Sequence, residues 1–477
     1  MKEFPITELV GIIGAIPQAS YTENHMTAFT AVSIDSRTMK AGDCFFAIAG
    51  ENFDGHDYVS EAFAKGAVCA VVSKEFEEKE AASKCLLRVE DTVQALGDLA
   101  REYRRQTGFK VVSITGSVGK TTTRQIIYHA LSRRFRVHQS PASFNNKIGL
   151  PLTLLGADHH DQIVITELGS NHPGEISHLT RIAEPDIAIV TNVHPAHLEG
   201  FGDLQTIVQE KSSITEGLRS DGIFIINGDF EVLVNACRAK STLFKTFGKS
   251  DGCDYQAKNI RSDGTASRFT IEDTQIILPL AGPGNVENTL AAWAVCHAMD
   301  LGIEDFTQSM ETLSAVSMRA EVLQIGTLTV LNDCYNANPA SMKNALSTLA
   351  QLDSNQRRRK IFICGDMAEL GEYAERLHAE LGKEIVQARV RVLLAVGRLA
   401  KIAAEAAEVH AEYDLQVRCF TDAHSACQNL HEFIADDDII LVKGSRTAGL
   451  EGLVDKLKEL FPRNVSQELN AEVREAR

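Results

Sequence analysis

A glycine-rich stretch between an apolar run and an amphipathic run constrains the fold of this chain more than any other feature. KVVSIT, residues 110–115, is apolar enough for a buried strand, and GSVGK follows it directly. After Lys120, the apolar residues Ile127, Ala130 and Leu131 recur near helical spacing. A tight turn between a strand and a helix presents backbone N–H groups and the positive helix end to an anion. The sequence therefore predicts a nucleotide phosphate site inside an α/β domain.

The turn is shorter than the strict phosphate-loop pattern G-x-x-x-x-G-K-[ST]. Ile114 stands where the first glycine of that pattern belongs, which leaves GSVGKT. In such a loop Lys120 reaches the β- and γ-phosphates of the nucleotide, and the Thr121 hydroxyl ligates Mg²⁺. An ordinary strand-to-helix turn with a surface lysine is the alternative. The residues that we predict to bind the nucleotide are Thr115, Gly116, Ser117, Val118, Gly119, Lys120 and Thr121.

Alternating strand and helix patterns extend over most of the chain and predict an α/β fold. QIVITELG, DIAIVTNV and DGIFIING are apolar runs of one set, and LTVLND, KIFICGD, RVLLAVG and DIILVKG belong to a second set. This alternation builds mostly parallel sheets that are covered by helices. The 477 residues suffice for about three domains. We predict a small α/β N-terminal domain (1–105), a central P-loop-type domain with a mostly parallel sheet (106–315), a Rossmann-like α/β C-terminal domain (316–462) and a polar tail (463–477).

Composition excludes several classes of protein. The net charge of −16 argues against broad nucleic-acid binding. No apolar run reaches the length of about 18 residues that a membrane span needs. The first residues, MKEFPITELV, lack the basic and apolar segments of a signal peptide. The ten cysteines include no C-x-x-C pair, so neither a zinc site nor a disulfide framework is indicated. We expect a reduced, cytoplasmic protein.

Charged residues follow the predicted strands of the central domain. Glu167 ends one strand, and His197 and Glu199 follow the strand predicted to end at Val193. Lys211 lies in the next helical stretch. Sites in open α/β sheets lie at the carboxyl ends of strands, and carboxylate and imidazole groups near a triphosphate suit divalent metals. Each residue has an ordinary alternative: a helix-capping carboxylate, a satisfied loop histidine or a solvated lysine.

Motifs along nearly the whole chain resemble those of the Mur ligase family. TGSVGKTTT is similar to the shortened phosphate loop of that family, and SIDSRTMKAGDCFFAIAGENFDGHDYV resembles its uridine-nucleotide-binding N-terminal domain. The central-domain similarities are FNNKIGLPLTLL, TELGSNHPGEI and PAHLEGFG. The C-terminal similarities are NDCYNANPASM, GDMAELG and LVKGSR. The resemblance implies the same three-domain α/β fold.

The resemblance also implies an ATP-dependent amide ligase of peptidoglycan precursor synthesis. The terminal carboxylate of UDP-N-acetylmuramoyl-tripeptide would take the γ-phosphate of ATP, which gives an acyl phosphate and ADP. The amine of D-alanyl-D-alanine would then attack the acyl carbon, and phosphate would leave. YNANP (335–339) and ELGSNHPGE (167–175) are the stretches most specific to this substrate pair. The implied partners are these two substrates, with no nucleic acid and no membrane span, and we expect a monomer.

Individual roles follow from the same resemblance. Glu167 would join Thr121 on one Mg²⁺, and His197 would ligate a second Mg²⁺ together with a carbamate made from CO₂ on Lys211. With Lys120, these residues would form the catalytic set. The nucleotide bound by the turn would be ATP, and three further residues would contact it: Asn288 at the adenine, Asp333 at the ribose, and Arg319, which would reach the phosphates from the far side of the cleft.

Two more groups are implied for the other substrates. The expected contacts of the uridine nucleotide are Ser36, Arg37, Glu51, Asn52 and Phe53. The candidate contacts of the peptide or dipeptide are Asn145, Asn146, Asn336 and Asn338. The alternative for these asparagines is turn formation, which asparagine favours.

Other readings of the motifs stay open at this point. A sister Mur ligase that adds one amino acid and a folate polyglutamate synthase are the related alternatives, and YNANPASM speaks against both. A P-loop switch or motor protein would hydrolyse nucleotide without a sugar-nucleotide substrate. A non-catalytic nucleotide-binding scaffold would not need the charged strand ends. The chain departs from the usual family pattern at Gly284, which stands in place of a histidine before Asn285, and after Arg446, where we assign no roles.

Overall fold

Three sheets and their covering helices make up the computed structural model, which describes residues 1–17, 28–77, 85–353 and 357–462. Within these ranges the sheets have five, nine and six strands, and one further pair of short strands is present. The α/β fold class with mostly parallel sheets is confirmed. The predicted polar tail, 463–477, lies outside the described residues.

The N-terminal elements form the five-stranded sheet and the short pair. In chain order they are β1 (Phe4–Pro5), α1 (Ile6–Ile13), β2 (Ile16–Pro17), β3 (Ala28–Phe29), β4 (Val32–Ser33), β5 (Cys44–Phe46), α2 (Val59–Ala64), β6 (Cys69–Ser73), β7 (Leu86–Val89) and α3 (Thr92–Thr107). The sheet order is β2-β7-β6-β5-β4, and only β2 and β7 run antiparallel. The strand predicted over AVSIDSR is shorter than expected, because the Asp35 side chain accepts a hydrogen bond from the Arg37 N–H and the chain turns there.

The central elements form the nine-stranded sheet. They are β8 (Lys110–Thr115), α4 (Lys120–Leu131), β9 (Val137–Gln139), α5 (Gly149–Gly156), β10 (Ile163–Glu167), α6 (Glu175–Ala183), β11 (Ile187–Val190), α7 (Leu198–Phe201), α8 (Leu204–Ser212), β12 (Ile223–Asn227), α9 (Glu231–Ala239), β13 (Lys245–Gly248), β14 (Tyr255–Ser262), β15 (Ser267–Ile271), β16 (Thr274–Leu278), α10 (Pro283–Ala298) and α11 (Ile303–Met310). The order is β16-β15-β14-β13-β12-β11-β8-β10-β9. Val111 and Val164 pack into one core, and Val112 and Ile165 into another, so both faces of the sheet are covered. This explains the continuous apolar runs.

Two features of this sheet differ from the sequence prediction. The strand expected to end at Val193 ends at Val190. The antiparallel strands β14, β15 and β16 were not predicted. Most of β14 is exposed and polar, so it lacks the apolar run that marks the buried parallel strands.

The C-terminal elements form the six-stranded sheet. They are β17 (Glu321–Ile325), β18 (Leu328–Asn332), α12 (Pro339–Gln351), β19 (Lys360–Gly365), α13 (Ala374–Gln387), β20 (Val392–Val396), α14 (Arg398–His410), β21 (Gln416–Phe420), α15 (Ala423–Asn429), β22 (Ile439–Lys443) and α16 (Glu451–Leu460). The order is β17-β18-β22-β19-β20-β21, with β17 antiparallel at the edge. The domain boundaries stay a prediction. In the part of the chain that the structure describes, no helix is long and apolar enough to span a membrane.

Candidate active site

One cavity of about 500 Å³ collects most of the predicted site residues. Its walls come from the loop before α4, the end of β10, the start of α10 and the chain that follows β18 and β22. The carboxyl ends of β8 and β10 meet there because the two strands are parallel neighbours. The predicted residues that line the cavity are Ser117, Val118, Gly119, Lys120, Thr121, Asn145, Asn146, Glu167, His197, Asn288, Arg319, Asp333, Asn336 and Asn338.

The glycines of the phosphate loop are required by backbone shape and by close contacts. Gly116 and Gly119 have φ values of 147° and 87°, which residues with a Cβ rarely adopt. A Cβ on Gly116 would lie 2.0 Å from Thr191 Oγ1, and one on Gly119 would lie 2.1 Å from Asn288 Oδ1. The loop therefore folds tightly between β11 and α10, and Asn288 lies against it.

Lys120 reaches across this loop. Its Nζ donates a hydrogen bond to the Gly116 carbonyl oxygen at 2.6 Å. Desolvation by the surrounding protein lowers the pKa of Lys120 to about 8, while the negative charge of Glu167 opposes this shift. A phosphate oxygen would give the ammonium a charged acceptor, which forms a stronger hydrogen bond than a carbonyl.

Asn192 holds the loop in shape, and the sequence analysis missed it. The Val118 N–H donates to Asn192 Oδ1 at 2.9 Å, and Asn192 Nδ2 donates to the Val118 carbonyl at 3.0 Å. The Ser117 N–H donates to the Asn192 carbonyl at 3.2 Å. Its position in the sequence could have indicated this role, because Asn192 lies just after β11, the parallel neighbour of β8.

Glu167 and Thr121 place oxygen atoms at the cavity. Thr121 Oγ1 donates to Glu167 Oε2 at 3.2 Å, and Glu167 is only 1% exposed. Arg124 Nη1 lies 3.0 Å from Glu167 Oε1 but directs its hydrogen bond to the Ala142 carbonyl at 2.8 Å. Glu167 Oε1 is therefore a buried acceptor without a hydrogen bond. Carboxylate and hydroxyl oxygens of this kind are ligands that Mg²⁺ prefers.

The alternative role of Glu167, capping of α6, is wrong. Glu210 occupies that position and accepts hydrogen bonds from the Gly174 N–H at 2.7 Å and the Ile176 N–H at 2.8 Å. Glu175 accepts from the Asn171 N–H at 2.6 Å. Glu167 is thus left facing the cavity rather than a helix end.

Lys211 is buried and lacks an acidic partner. It is 2% exposed, so the alternative of a solvated lysine is wrong. Its Nζ donates to Ser170 Oγ at 2.7 Å and lies 5.5 Å from the centre of the Phe201 ring. No carboxylate of the described residues forms an ion pair with it. Burial, followed by the charge of Lys120, lowers its pKa to about 7.

His197 connects the central loop to the C-terminal elements. The residue has φ 52° and its Nδ1 forms a short hydrogen bond with the Glu369 carboxylate. The Glu199 N–H donates to the Glu369 carbonyl at 3.1 Å. Burial, and then the charge of Lys120, lower the pKa of His197, while Glu369 opposes them. Neutral imidazole is the form that ligates metals.

Asp333 is fixed by two contacts on the C-terminal wall of the cavity. Lys443 Nζ donates to its Oδ2 at 2.6 Å, and the Ala320 N–H donates to its Oδ1 at 3.0 Å. The Lys443 side chain is 2% exposed and also donates to the Asn336 carbonyl at 3.0 Å. The sequence analysis did not single out Lys443, although it ends the predicted strand DIILVKG.

Tyr335 connects the same wall to the central sheet. The Arg319 guanidinium lies 4.1 Å from the centre of the Tyr335 ring, and that of Arg446 lies 5.8 Å from it. The Tyr335 hydroxyl forms a short hydrogen bond with Ser143 Oγ. The cavity therefore has two cationic groups against one aromatic ring.

The predicted asparagines line the cavity but also make local bonds. Asn338 Oδ1 caps α12 by accepting from the Ser341 N–H at 2.9 Å. Asn146 Oδ1 accepts from the Gly149 N–H at 2.9 Å. Asn336 Oδ1 accepts a hydrogen bond from the Ala337 N–H. The backbone carbonyl oxygen of Asn145 accepts one from the Gly169 N–H at 2.8 Å. Turn chemistry thus accounts for part of this asparagine pattern.

The residues predicted for the uridine nucleotide do not line this cavity. The Arg37 side chain is 84% exposed and pairs with Asp35 at 2.8 Å, and its hydrogen bond lowers the pKa of Asp35 to about 2. Phe53 is 73% exposed. The remaining members of this set are the exposed Glu51 and Asn52 and the buried Ser36.

Comparison with known proteins defines the class. Residues 28–104 match the family model described as Mur ligase family, catalytic domain. Residues 114–296 match the Mur ligase middle domain, and residues 318–446 match the model described as Mur ligase, glutamate ligase domain. The chain belongs to the Mur ligase family, and the predicted resemblance is confirmed.

Three similar proteins match most of this chain. The UDP-N-acetylmuramoyl-tripeptide–D-alanyl-D-alanine ligase of Bacillus subtilis is 34% identical, over 95% of this chain and 97% of its own. A crystal structure of MurF from Acinetobacter baumannii superposes with a TM-score of 0.87 at 30% identity, covering 96% of this chain and 99% of its own. MurF ligase from Thermotoga maritima, in complex with ADP, gives a TM-score of 0.79 at 26% identity, covering 90% and 97%.

Proposed function

We propose that this chain is an ATP-dependent amide ligase that adds D-alanyl-D-alanine to UDP-N-acetylmuramoyl-tripeptide in peptidoglycan precursor synthesis. The observation that carries this function is a single cavity with a phosphate loop, the buried carboxylate of Glu167 and the C-terminal pair of Arg319 and Asp333. The substrates are inferred from the names of relatives that are similar to this chain over nearly its full length. A nucleotide switch or a nucleotide-binding scaffold would not need these residues of the central and C-terminal domains to meet in one cavity.

The cavity suits activation of a carboxylate by phosphorylation. An oxygen of the tripeptide carboxylate attacks the γ-phosphorus of ATP, and the bond to the β-phosphate oxygen breaks. The dipeptide nitrogen then bonds to the acyl carbon, the bond from that carbon to the phosphate oxygen breaks, and the amine loses a proton. Lys120 and Arg319 face the charge that develops on the phosphoryl group. Positioning and charge stabilisation supply most of the rate in such reactions.

The oxygen atoms at the cavity fit a divalent cation. Thr121 and Glu167 would hold one Mg²⁺, and the buried Glu167 Oε1 without a hydrogen bond supports this fit. Bound Mg²⁺ would neutralise phosphate charge. Asn288 and Asp333 would contact the adenine and the ribose of ATP.

Lys211 fits a second cation site only after a change of charge. A protonated lysine cannot ligate Mg²⁺, but its lowered pKa and lack of an acidic partner favour the free amine. Addition of CO₂ forms an N–C bond and releases a proton, so a positive group becomes a negative one with oxygen ligands. His197 and this carbamate would hold the second Mg²⁺.

The N-terminal set, of which Ser36 is buried and the others are exposed, would bind the uridine nucleotide through Ser36, Arg37 and the turn of Glu51, Asn52 and Phe53. The cavity asparagines would contact the peptide or the dipeptide. All ten cysteines are free thiols, which supports a reducing, cytoplasmic location. We expect a monomer.

The proposed function is tested by ADP release from ATP with each substrate omitted in turn. We expect release only when UDP-N-acetylmuramoyl-tripeptide and D-alanyl-D-alanine are both present, with the pentapeptide product identified by mass spectrometry. Equal turnover with a single free amino acid would favour a sister ligase. Release without either acceptor would favour a nucleotide hydrolase.

A further inference from the structure

One cation of the cavity has no part in the proposed ATP contacts. The Lys and Arg side chains that line the cavity, among the residues described, are Lys120, Arg319, Lys443 and Arg446. Lys443 is buried, and its Nζ donates hydrogen bonds to the Asp333 carboxylate and to the Asn336 carbonyl oxygen. The Arg446 side chain is 57% exposed and forms an ion pair at 3.4 Å with Glu451, whose side chain is also 44% exposed. Its charge is therefore accessible to a ligand in the cavity.

Arg446 lies beside Tyr335 on the C-terminal wall of the cavity. It follows β22 and lies 5.8 Å from the centre of the Tyr335 ring, and Tyr335 begins the YNANP stretch. Arg319 contacts the same ring, and its positive charge also lowers the pKa of Lys120, a residue of the phosphate loop. The two arginines therefore serve different parts of the cavity.

The chemistry of the incoming dipeptide requires such a cation. Its amine must be neutral to attack the acyl carbon, so the dipeptide carries the negative charge of its terminal carboxylate into the cavity. That carboxylate lies about 7 Å from the amine when two residues are extended. A guanidinium matches a carboxylate through two parallel hydrogen bonds, and an unpaired carboxylate in a confined site is costly.

We propose that Arg446 binds the C-terminal carboxylate of the incoming dipeptide and thereby selects a substrate with a free terminus. This assignment rests on the proposed ligase function. The Ser445 and Thr447 hydroxyls also line the cavity beside Arg446 and lie 3.0 Å apart. They offer hydrogen-bond donors to the same carboxylate.

The test pairs Arg446→Met with a change on the substrate, the C-terminal amide of D-alanyl-D-alanine. We expect Arg446→Met to raise KM for the dipeptide about 10- to 100-fold, the effect of losing a hydrogen bond to a charged group. The KM values for ATP and for UDP-N-acetylmuramoyl-tripeptide should not change. The dipeptide amide should bind the wild-type enzyme as weakly as the dipeptide binds Arg446→Met. Binding of the amide should be equally weak in the wild-type enzyme and in Arg446→Met. Arg446→Lys should fall between the two.

Arg398→Met is the matched control, because Arg398 is 78% exposed, lies on α14 and does not line the cavity. It should leave all three KM values unchanged. An equal loss of affinity for the dipeptide and its amide in Arg446→Met would overturn the assignment, as would a higher KM for ATP alone. Failure of the wild-type enzyme to use the dipeptide would instead contradict the proposed function.

Discussion

The cavity and the N-terminal surface hold their charged groups in opposite ways. Glu167 lines the cavity, and Lys211 does not line it but donates a hydrogen bond to Ser170, which does. Glu167 and Lys211 are 1% and 2% exposed, and each is fixed by a hydrogen bond with a hydroxyl group. Arg37 and Phe53 on the N-terminal surface are 84% and 73% exposed. Buried, fixed charges act on a developing charge without reorganisation, whereas exposed groups supply ground-state binding. Substitutions of the buried Glu167 and Lys211 should therefore lower kcat, and those on the N-terminal surface should raise KM.

The largest effect is expected at Lys211. Lys211→Ala should lower kcat on the order of 10²- to 10³-fold, since a charge needed in the reaction is lost. Lys211→Arg should not restore activity, because a guanidinium cannot become a carbamate, and a small added carboxylate should restore part of the activity to Lys211→Ala. Steady-state ADP release measures all three.

The exposed Lys240, whose Nζ donates to Ser212 Oγ at 3.1 Å, supplies the control. Lys240→Ala should keep full activity. Thermal melting of both alanine variants separates loss of chemistry from loss of folding. Near-normal turnover of Lys211→Arg would show that a cation is needed at this position and that the carbamate is wrong.

A smaller effect, on binding alone, is expected at the N-terminal surface. Arg37→Ala should raise KM for the uridine nucleotide substrate about 10- to 100-fold, the usual range for a lost charge-assisted hydrogen bond, and should leave kcat nearly unchanged. Arg101→Ala is a matched control, because it also breaks a local Arg–Asp pair, at 2.8 Å, in the N-terminal part of the chain. A fall in kcat for Arg37→Ala with constant KM would contradict the expectation that the exposed N-terminal residues act in substrate binding alone.

The pH dependence of carbamate formation on Lys211 tests the effect of burial on this side chain. A pKa of about 7 makes half of the side chain neutral at that pH, and only the neutral amine adds CO₂. At constant dissolved CO₂, reactivation of CO₂-depleted enzyme should therefore accelerate about tenfold from about pH 6 to about pH 8 and then level off. For a solvated lysine, the rate would keep rising to about pH 10. Continued acceleration above pH 9 would show that burial does not lower this pKa.

The smallest effect is expected at Asn338, which lies in the cavity and also caps α12. Asn338→Ala should lower the free energy of unfolding by about 1 kcal/mol, the usual cost of a lost N-cap. Asn338→Asp should keep the stability, because a carboxylate oxygen can accept from the Ser341 N–H. Chemical denaturation measures both. A loss for the aspartate variant as large as that for alanine would contradict the capping role.

Local sequence patterns accounted for the parallel sheets and for the place of Glu167 at the end of a strand, whereas the meeting of Thr121 with Glu167 was expected only from the family resemblance. Glu167 is the last residue of β10, and strand ends can be predicted from apolar runs. The pairing of Arg124 with Glu167, and of His197 with Glu369, could not be read in this way. These contacts join residues far apart in the chain and depend on how the elements pack. The hairpin strands β15 and β16 were missed for a different reason, because they alternate buried and exposed residues over only a few positions.

Transfer of labelled oxygen tests most directly the claim that this cavity activates a carboxylate with the γ-phosphate of ATP. The terminal carboxylate of UDP-N-acetylmuramoyl-tripeptide is labelled with ¹⁸O, and the products of the reaction with D-alanyl-D-alanine are analysed by mass spectrometry. An acyl phosphate predicts that a single labelled oxygen appears in inorganic phosphate and that the other stays in the new amide. Phosphate without label, or label in AMP, would contradict the account.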